Sequence, residues 1–322
     1  MAYNTSGTEK KIILHSPSMM QIFQKANLLA YNQASVLIYG ESGVGKSFLA
    51  EYIQKSGSLS GKPFVKISCS AISEELFASE LFGYSPNAFT GASASGKTGL
   101  LEAADHGTVL FDEINELSPH CQTLLLHFLQ NKNITPIGSL IAKEIHTRII
   151  CTSGQDLREM IKAGTFRSDL YYRLNVININ IPPLRERIED LPVLCSSMLS
   201  QKEGLYHQSR LHMSQEAMDL LNLHNWPGNV RELRNVIDRA AIICEGSEIL
   251  PQHLPEYIQV YRKSSPLEVS DGYYHYEIAC LERQLITKAL RDNGGNRQAA
   301  ARQLGIHRSL LYKKMKDLGI HE

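Results

Sequence analysis

A chain of 322 residues, 43% of them apolar, has room for two or three domains, each with a buried core. Its formal net charge is zero, so no global field draws it to nucleic acid and any such affinity must be local. The six cysteines and twelve histidines show no paired or clustered spacing, which excludes a disulfide framework and a zinc site; with no signal peptide and no membrane-length apolar run, the chain reads as soluble and cytoplasmic.

In chain order, the first dozen residues are polar and are expected to be loose. Ser18 to Tyr31 carries a helical stripe of Met19, Ile22, Phe23, Ala26 and Leu29. The apolar run Val36-Leu37-Ile38-Tyr39 leads into Gly40-Glu41-Ser42-Gly43-Val44-Gly45-Lys46-Ser47, and a helix-like stretch from Phe48 to Ile53 follows. This is the pattern G-x-x-x-x-G-K-[ST] in the strand–loop–helix setting it requires. Its glycines let backbone N–H groups turn toward the phosphates of a nucleotide such as ATP, and the helix N-terminus faces the same charge. Lys46 is expected to reach the terminal phosphates, and the Ser47 hydroxyl to ligate Mg²⁺.

Three further apolar runs, Phe64 to Ile67, Val109 to Phe111 and Arg148 to Cys151, read as buried parallel strands separated by helices. That alternation marks an α/β fold with a doubly wound parallel sheet. Asp112-Glu113 directly follows the strand at Val109-Leu110-Phe111. Asp112 would hold Mg²⁺, partly through water, and Glu113 would polarise the water that attacks the γ-phosphate. Around Ile181-Pro182-Pro183-Leu184 the strand pattern stops, and the chain to about Tyr257 reads as all-helical, broken by turns such as Trp226-Pro227-Gly228-Asn229. The boundaries expected are 1–184 for the α/β core, 185–257 for a helical lid, 258–273 for a linker with Ser-Ser-Pro and Asp-Gly, and 274–322 for a C-terminal helical domain.

That last domain is locally basic, with six Lys/Arg against two acidic residues from Asn296 to Glu322. Asn296 can cap a first helix, and Gly305 permits a tight turn into a second. Leu304, Ile306, Leu311 and Met315 would fill a small core, which makes the segment a helix-turn-helix. Its second helix would offer His307, Arg308, Ser309, Tyr312 and Lys313 to the major groove of double-stranded DNA. A protein-docking hairpin is the competing reading.

The chain resembles the bacterial sigma-54-dependent transcription activators (enhancer-binding proteins) of the AAA+ class. The resemblance is carried by Glu80-Leu81-Phe82-Gly83, Ala88-Phe89-Thr90-Gly91-Ala92, Gly107 to Glu113, Phe166 to Asn175, Pro182 to Arg187 and Trp226 to Leu233, in the family's order. It covers nearly the whole chain from about His15, and the tail from Asn296 resembles a Fis-type DNA-binding domain. It implies an AAA+ P-loop core with a helical lid and a helix-turn-helix. The function implied is an ATPase that binds an upstream DNA site as dimers, assembles into a ring (a hexamer) and remodels the sigma-54 RNA polymerase holoenzyme. Phe89, Thr90 and Gly91 would lie in the loop that contacts sigma-54. Arg167 and Arg173 would be arginine fingers reaching a neighbour's γ-phosphate, with Asp169 as the local ion-pair alternative for Arg167. Arg231 would be the lid's sensor arginine, with Glu232 or Asp238 as alternative partners. The helix from about Glu277 to Arg291 would supply the dimer contact.

Four departures from the family's pattern stand out, one of them a residue pair. Asn87 replaces a glycine before Ala88, and asparagine tolerates left-handed backbone. Ser68 stands where an asparagine restrains the catalytic glutamate. Ser153-Gly154 replaces a Thr-Asn sensor, and His127 replaces an arginine. The expectation is an active ATPase with altered turnover or coupling. The rival readings are an AAA+ DNA-binding regulator acting without sigma-54 contact, and a general AAA+ DNA motor. Because the resemblance begins almost at residue 1, no receiver or ligand-sensing domain is expected in front of it. Control would then fall to a separate partner, unless a sensor has been removed.

Overall fold

The computed structural model describes residues 2–3, 12–13, 15–201 and 211–259, and in the C-terminal segment residues 282, 285–287, 289–290, 293, 296–306, 308–318 and 320. The chain divides into two compact units, residues 1–261 and 262–322.

The first unit is built on five parallel strands. β1 (Val36–Tyr39), β2 (Phe64–Ser68), β3 (Thr108–Asp112), β4 (Arg148–Ser153) and β5 (Ile177–Asn180) lie in the order β5-β1-β4-β3-β2. Successive residues of a strand face opposite sides, so the apolar runs supply two cores at once. Val36, Ile38, Leu110, Ile150 and Ile179 face α1 (Pro17–Ala30) and α2 (Lys46–Lys55). Leu37, Ile67, Val109, Phe111, Ile149 and Cys151 face α3 (Glu74–Phe82), α4 (Pro119–Asn131) and α5 (Ser168–Leu174). The α/β, doubly wound reading therefore holds. It overlooked β5, whose Ile-Asn-Ile-Asn sequence buries only Ile179. An edge strand is half solvated, so it lacks the continuous apolar run that revealed the central strands.

Parallel strands place all their C-terminal ends on one edge, where α/β proteins bind ligands. That edge carries Gly40 after β1, Cys69 after β2, Glu113 after β3 and Gly154 after β4. The register sets Ser68 beside Asp112 and Ser153 beside Tyr39.

Beyond Leu184 the chain forms the helices α6 (Leu191–Ser200), α7 (Gln215–Leu223) and α8 (Asn229–Ile243). They enclose a separate core around fully buried Trp226, with Leu184, Leu221, Leu233 and Ile237. The indole satisfies its own N–H, donating from Nε1 to the Leu221 carbonyl at 2.9 Å. The all-helical expectation needs one correction, since His212–Met213 and Glu248–Ile249 form a short parallel pair. Two residues per strand are too few to leave a period in the sequence.

In the second unit, α9 (Arg297–Gln303) and α10 (Arg308–Asp317) flank a turn at Gly305, where φ is +67°. The Asn296 side chain accepts from the N–H groups of Gln298 and Ala299 at 3.1 and 3.2 Å, as an N-cap should. Ala300, Ala301, Leu311 and Met315 are buried, with Leu304 and Ile306 packed against them. The linker reading falls outside the described residues beyond Gln259, as does much of the helix expected from Glu277 to Arg291. Cys69, Cys121, Cys151, Cys195 and Cys244 are buried free thiols; burial pushes Cys195 up to about 12. Among the described residues no helix is long and apolar enough to cross a membrane.

Candidate nucleotide and regulatory sites

The loop from Gly40 to Ser47 turns out of β1 and into α2, with Gly45 at φ +105° as the N-cap. Lys46 is buried, and its Nζ donates to the carbonyls of Gly40 at 2.7 Å and Glu41 at 3.0 Å. Burial lowers its pKa, while the charges of Asp112 and Glu113 pull the other way. Ser47 Oγ meets both carboxylate oxygens of Asp112 at 3.0 Å. A hydroxyl and a carboxylate at this spacing, beneath a helix N-terminus, form a donor set that fits Mg²⁺ and phosphate.

Asp112 has two partners that sequence reasoning missed, Lys66 Nζ at 2.7 Å and Thr152 Oγ1 at 2.5 Å. Burial alone would raise its pKa, but Lys66, Thr152 and Ser47 outweigh that and hold it below the ordinary aspartate value. Thr152 also accepts from the Glu113 N–H at 2.9 Å, which fixes a residue held at φ +60°. The Glu113 carboxylate accepts from Ser70 Oγ at 2.9 Å, and Ser70 is within 3.2 Å of Ser68 Oγ. Ser70 rather than Ser68 therefore touches the glutamate, because one serine is too short to span the gap. Gly154 is bonded by a neighbouring asparagine. Asn115 Oδ1 accepts from Gly154 N at 3.0 Å and from Ser153 Oγ at 3.2 Å. His127 is exposed on α4.

Residues 184–187, the hinge between core and lid, and the lid itself reach this loop. Arg231 Nη1 donates to Ser42 Oγ at 2.8 Å, while Glu232 bonds His224 at 2.9 Å. Arg185 makes two bonds to Glu41 at 3.0 and 2.6 Å, and fully buried Asn229 donates to Glu41 Oε2 and to the Ser42 carbonyl, each at 3.1 Å. A Cβ on Gly43 would come within 2.4 Å of the Gly228 carbonyl, so only glycine allows this approach.

Arg167 and Arg173 lie on or beside α5, exposed. Arg167 pairs with Asp169 at 3.0 and 2.8 Å, and among the described residues no hydrogen bond or ion pair joins either arginine to residues 40–47. Phe89 is 47% exposed, with one edge on Tyr84 at a centroid distance of 5.1 Å. Thr90 and Gly91 beside it are exposed, and Asn87 adopts the left-handed φ of +55°. A second loop braces this one: Ser85 N donates to the Ile137 carbonyl and Ile137 N to the Gly83 carbonyl, both at 2.9 Å. Its neighbours Leu140 and Ile141 are exposed apolar residues.

On α10, Arg308, Tyr312 and Lys313 are exposed. His307 lies outside the described residues, and so does the Ser309 side chain. Arg297 and Arg308 both stand over the Tyr312 ring, at 5.3 and 5.5 Å from its centroid. The two guanidiniums, Arg308 first, lower the phenol's pKa. Arg297 adds a cation that sequence reasoning had not assigned.

Comparisons with known proteins fall on the same three regions. The profile of the Sigma-54 interaction domain matches residues 12–180, that of the AAA+ ATPase lid domain residues 185–270, and that of the bacterial regulatory protein, Fis family, residues 278–318. Regulatory protein AtoC of Escherichia coli K12 is 39% identical over 99% of this chain and 70% of its own length. Transcriptional regulatory protein ZraR of the same strain is 39% identical over 93% of this chain and 67% of its own. A Geobacillus stearothermophilus protein named limonene hydroxylase is 40% identical over 97% of this chain. This chain spans only 57% of that relative's length. Among solved structures, NtrX from Brucella abortus in complex with ADP superposes with a TM-score of 0.72 at 28% identity, covering 98% of this chain and 70% of NtrX. The ATP complex of the same protein gives 0.71 at 29% identity, covering 96% and 69%.

Proposed function

This chain belongs to the Sigma-54 interaction domain family, and on that premise we propose that it is an ATP-hydrolysing transcription activator that remodels the sigma-54 RNA polymerase holoenzyme. The observation that carries the reading is the convergence of Lys46, Ser47, Asp112 and Glu113 at the C-terminal edge of one sheet.

Lys46 and the loop N–H groups bind and orient the phosphates of ATP. Ser47 and Asp112 would hold Mg²⁺, which when bound supplies positive charge against the phosphate oxygens. Glu113, held by its backbone bond to Thr152 and its side-chain bond to Ser70, orients a water and takes its proton. Arg231 brings the lid's cation to the same loop through Ser42. Arg167 and Arg173 are exposed and, among the described residues, make no bond to residues 40–47, which supports a role at a neighbouring subunit and a ring as part of the mechanism. Leaving Asp169 costs Arg167 little, because the pair is about half exposed and solvent screens it. A guanidinium at the γ-phosphate is worth about 10³–10⁵ in rate.

Phe89, Thr90 and Gly91 form the sigma-54 contact. Arg308, Tyr312, Lys313 and Arg297 form the DNA face, with His307 and Ser309 assigned to it from sequence. The functional parts are residues 1–184 as ATPase core, 185–257 as lid, 258–273 as linker and 274–322 as DNA-binding domain, the last pairing to form dimers. An open-complex assay with sigma-54 polymerase, run on this chain and on Thr90→Ala, tests the reading. The expected result is opening by the parent chain and loss of opening, with ATPase retained, in the variant. Hydrolysis without any sigma-54-dependent opening would favour a DNA-binding regulator that acts without that contact.

A further inference from the structure

We propose that Glu41 is a positioning residue that ties the phosphate loop to the lid, and that through Asn229 it sets where Arg231 meets the nucleotide. The proposal rests on the reading of residues 40–47 as the ATP site and assigns that loop's acid a separate task.

The Glu41 side chain is fully engaged by hinge and lid. One carboxylate oxygen takes Arg185 at 2.6 Å, and the other takes Arg185 at 3.0 Å and Asn229 at 3.1 Å. An acid beside phosphates would repel them unless a cation neutralised it, and Arg185 does so. Consistently, the Arg185 hydrogen bond heads the causes that hold the Glu41 pKa below the ordinary glutamate value.

Asn229 is where this contact becomes geometry. It is the first residue of α8, wholly buried, at φ +52°. Its Oδ1 accepts from the hinge N–H of Leu184 at 2.8 Å, and its Nδ2 donates to Glu41 and to the Ser42 carbonyl. One amide therefore locks three segments: loop, hinge and helix start. Arg231 follows two residues later on the first turn of α8, and its 2.8 Å bond to Ser42 Oγ is referenced to the same point. On the far side, Glu232 accepts from Gly228 N at 2.9 Å and bonds His224 at 2.9 Å, so the turn carrying Asn229 is held from within the lid as well. A lid displaced at Glu41 would carry Arg231 away from the loop while leaving its own core intact.

The Glu41–Arg185 pair is about two-fifths exposed on each side, so it adds little to folding. Its consequence is positional, and that separates it from a structural role. The chain's single tryptophan, Trp226, sits in the same turn, edge-on to the His224 ring at 4.8 Å, and reports the turn by fluorescence.

The test uses the full chain, with ATP and ADP titrated separately, calorimetry for affinity and Trp226 fluorescence for the lid. Glu41→Gln should weaken ATP binding by about tenfold and damp the fluorescence response, with the nucleotide-free melting temperature unchanged. The double variant Glu41→Gln/Arg231→Ala should bind no more weakly than Arg231→Ala alone, since the first change acts through the second residue. Glu41→Asp should recover part of the affinity. Effects that add fully, or a Glu41→Gln protein that binds and responds like the parent, overturn the proposal. Failure of the parent chain to bind ATP at all overturns the site reading beneath it, and is seen before any variant is made.

Discussion

Two loops of the α/β layer invite comparison, residues 40–47 and residues 83–98. Both contain glycines with left-handed backbone, Gly43 at φ +79° and Gly91 at φ +91°. They are held in opposite ways. In the first, hinge or lid touches Glu41, Ser42, Gly43 and Val44 in turn, the last through Arg187 Nη2 at 2.8 Å from its carbonyl. In the second, a two-residue antiparallel pair closes the base and another loop braces the stem. At the tip, Ala92 N donates to the Phe89 carbonyl at 3.0 Å and Asn87 N to the Ser93 carbonyl at 3.3 Å, and Phe89 lays one edge on Tyr84. Chemistry needs donors fixed before the reaction begins. A partner contact needs apolar surface on a segment free to move, and such segments belong to the less stable parts of a fold.

The fixed loop and the acid pair below it should produce the largest effects. Glu113→Gln keeps the shape, the backbone N–H bond to Thr152 Oγ1 and an oxygen to accept from Ser70, but removes the carboxylate proposed as the base. Its kcat for ATP should fall by about 10²–10⁴ with ATP affinity retained, measured by steady-state hydrolysis and equilibrium binding. A comparable fall in affinity would mean that Glu113 holds the site together rather than serving the reaction.

The same substitution in each loop sharpens the contrast. An alanine Cβ at Gly43 would lie 2.4 Å from the Gly228 carbonyl, whereas at Gly91 nothing lies within 4 Å. Gly43→Ala combines backbone strain with a backbone clash and should cost about 3 kcal/mol, with ATP binding lost as the lid is pushed off. Gly91→Ala bears only the left-handed penalty, about 1–2 kcal/mol, and should leave hydrolysis alone. Denaturant unfolding of the two variants measures the gap; equal costs would remove the distinction between the loops. Phe89→Ala comes next. It gives up a half-exposed ring and one edge contact, about 0.5–1.5 kcal/mol, and should separate normal ATPase from absent promoter opening.

How much of this was legible in the sequence follows from how local each signal is. The phosphate loop and Asp112-Glu113 are contiguous, and the chemistry is written in the spacing. The central strands announce themselves because both faces are buried. Asn87 also reads locally, since asparagine is one of the few residues at ease at φ +55°. Ser70, Thr152 and Lys66 could not be read this way. They reach the acid pair only because the strand register puts β2 and β4 on either side of β3, so their roles exist after folding and not before it. Arg297 is similar: it reaches Tyr312 only because α9 packs on α10.

The smallest expected effect concerns pH, and it too divides the loops. Asp112 is held below its ordinary value by Lys66, Thr152 and Ser47 despite burial. A carboxylate so depressed contributes stability that is complete above the unfolded pKa, about 3.9, and is lost as pH falls through the lower folded value. Wild-type stability should therefore show no Asp112 contribution to its slope between about pH 6 and 8. In Lys66→Met the burial that raises the Asp112 pKa loses its main opponent, so the folded value moves up toward the unfolded one and the acid-induced loss owed to Asp112 should be smaller than in the parent. Lys66 is 44% exposed, so at neutral pH the pair itself should be worth only about 0.2–1 kcal/mol. The matching change at the other loop, Lys97→Met, removes the pair with Glu80, whose partners are 39% and 30% exposed. That surface pair should likewise be worth only about 0.2–1 kcal/mol. Parallel acid titrations of the two variants decide the point: if both shift alike, the seam around Asp112 is no more constrained than the surface around Phe89, and the contrast between a fixed site and a mobile one fails.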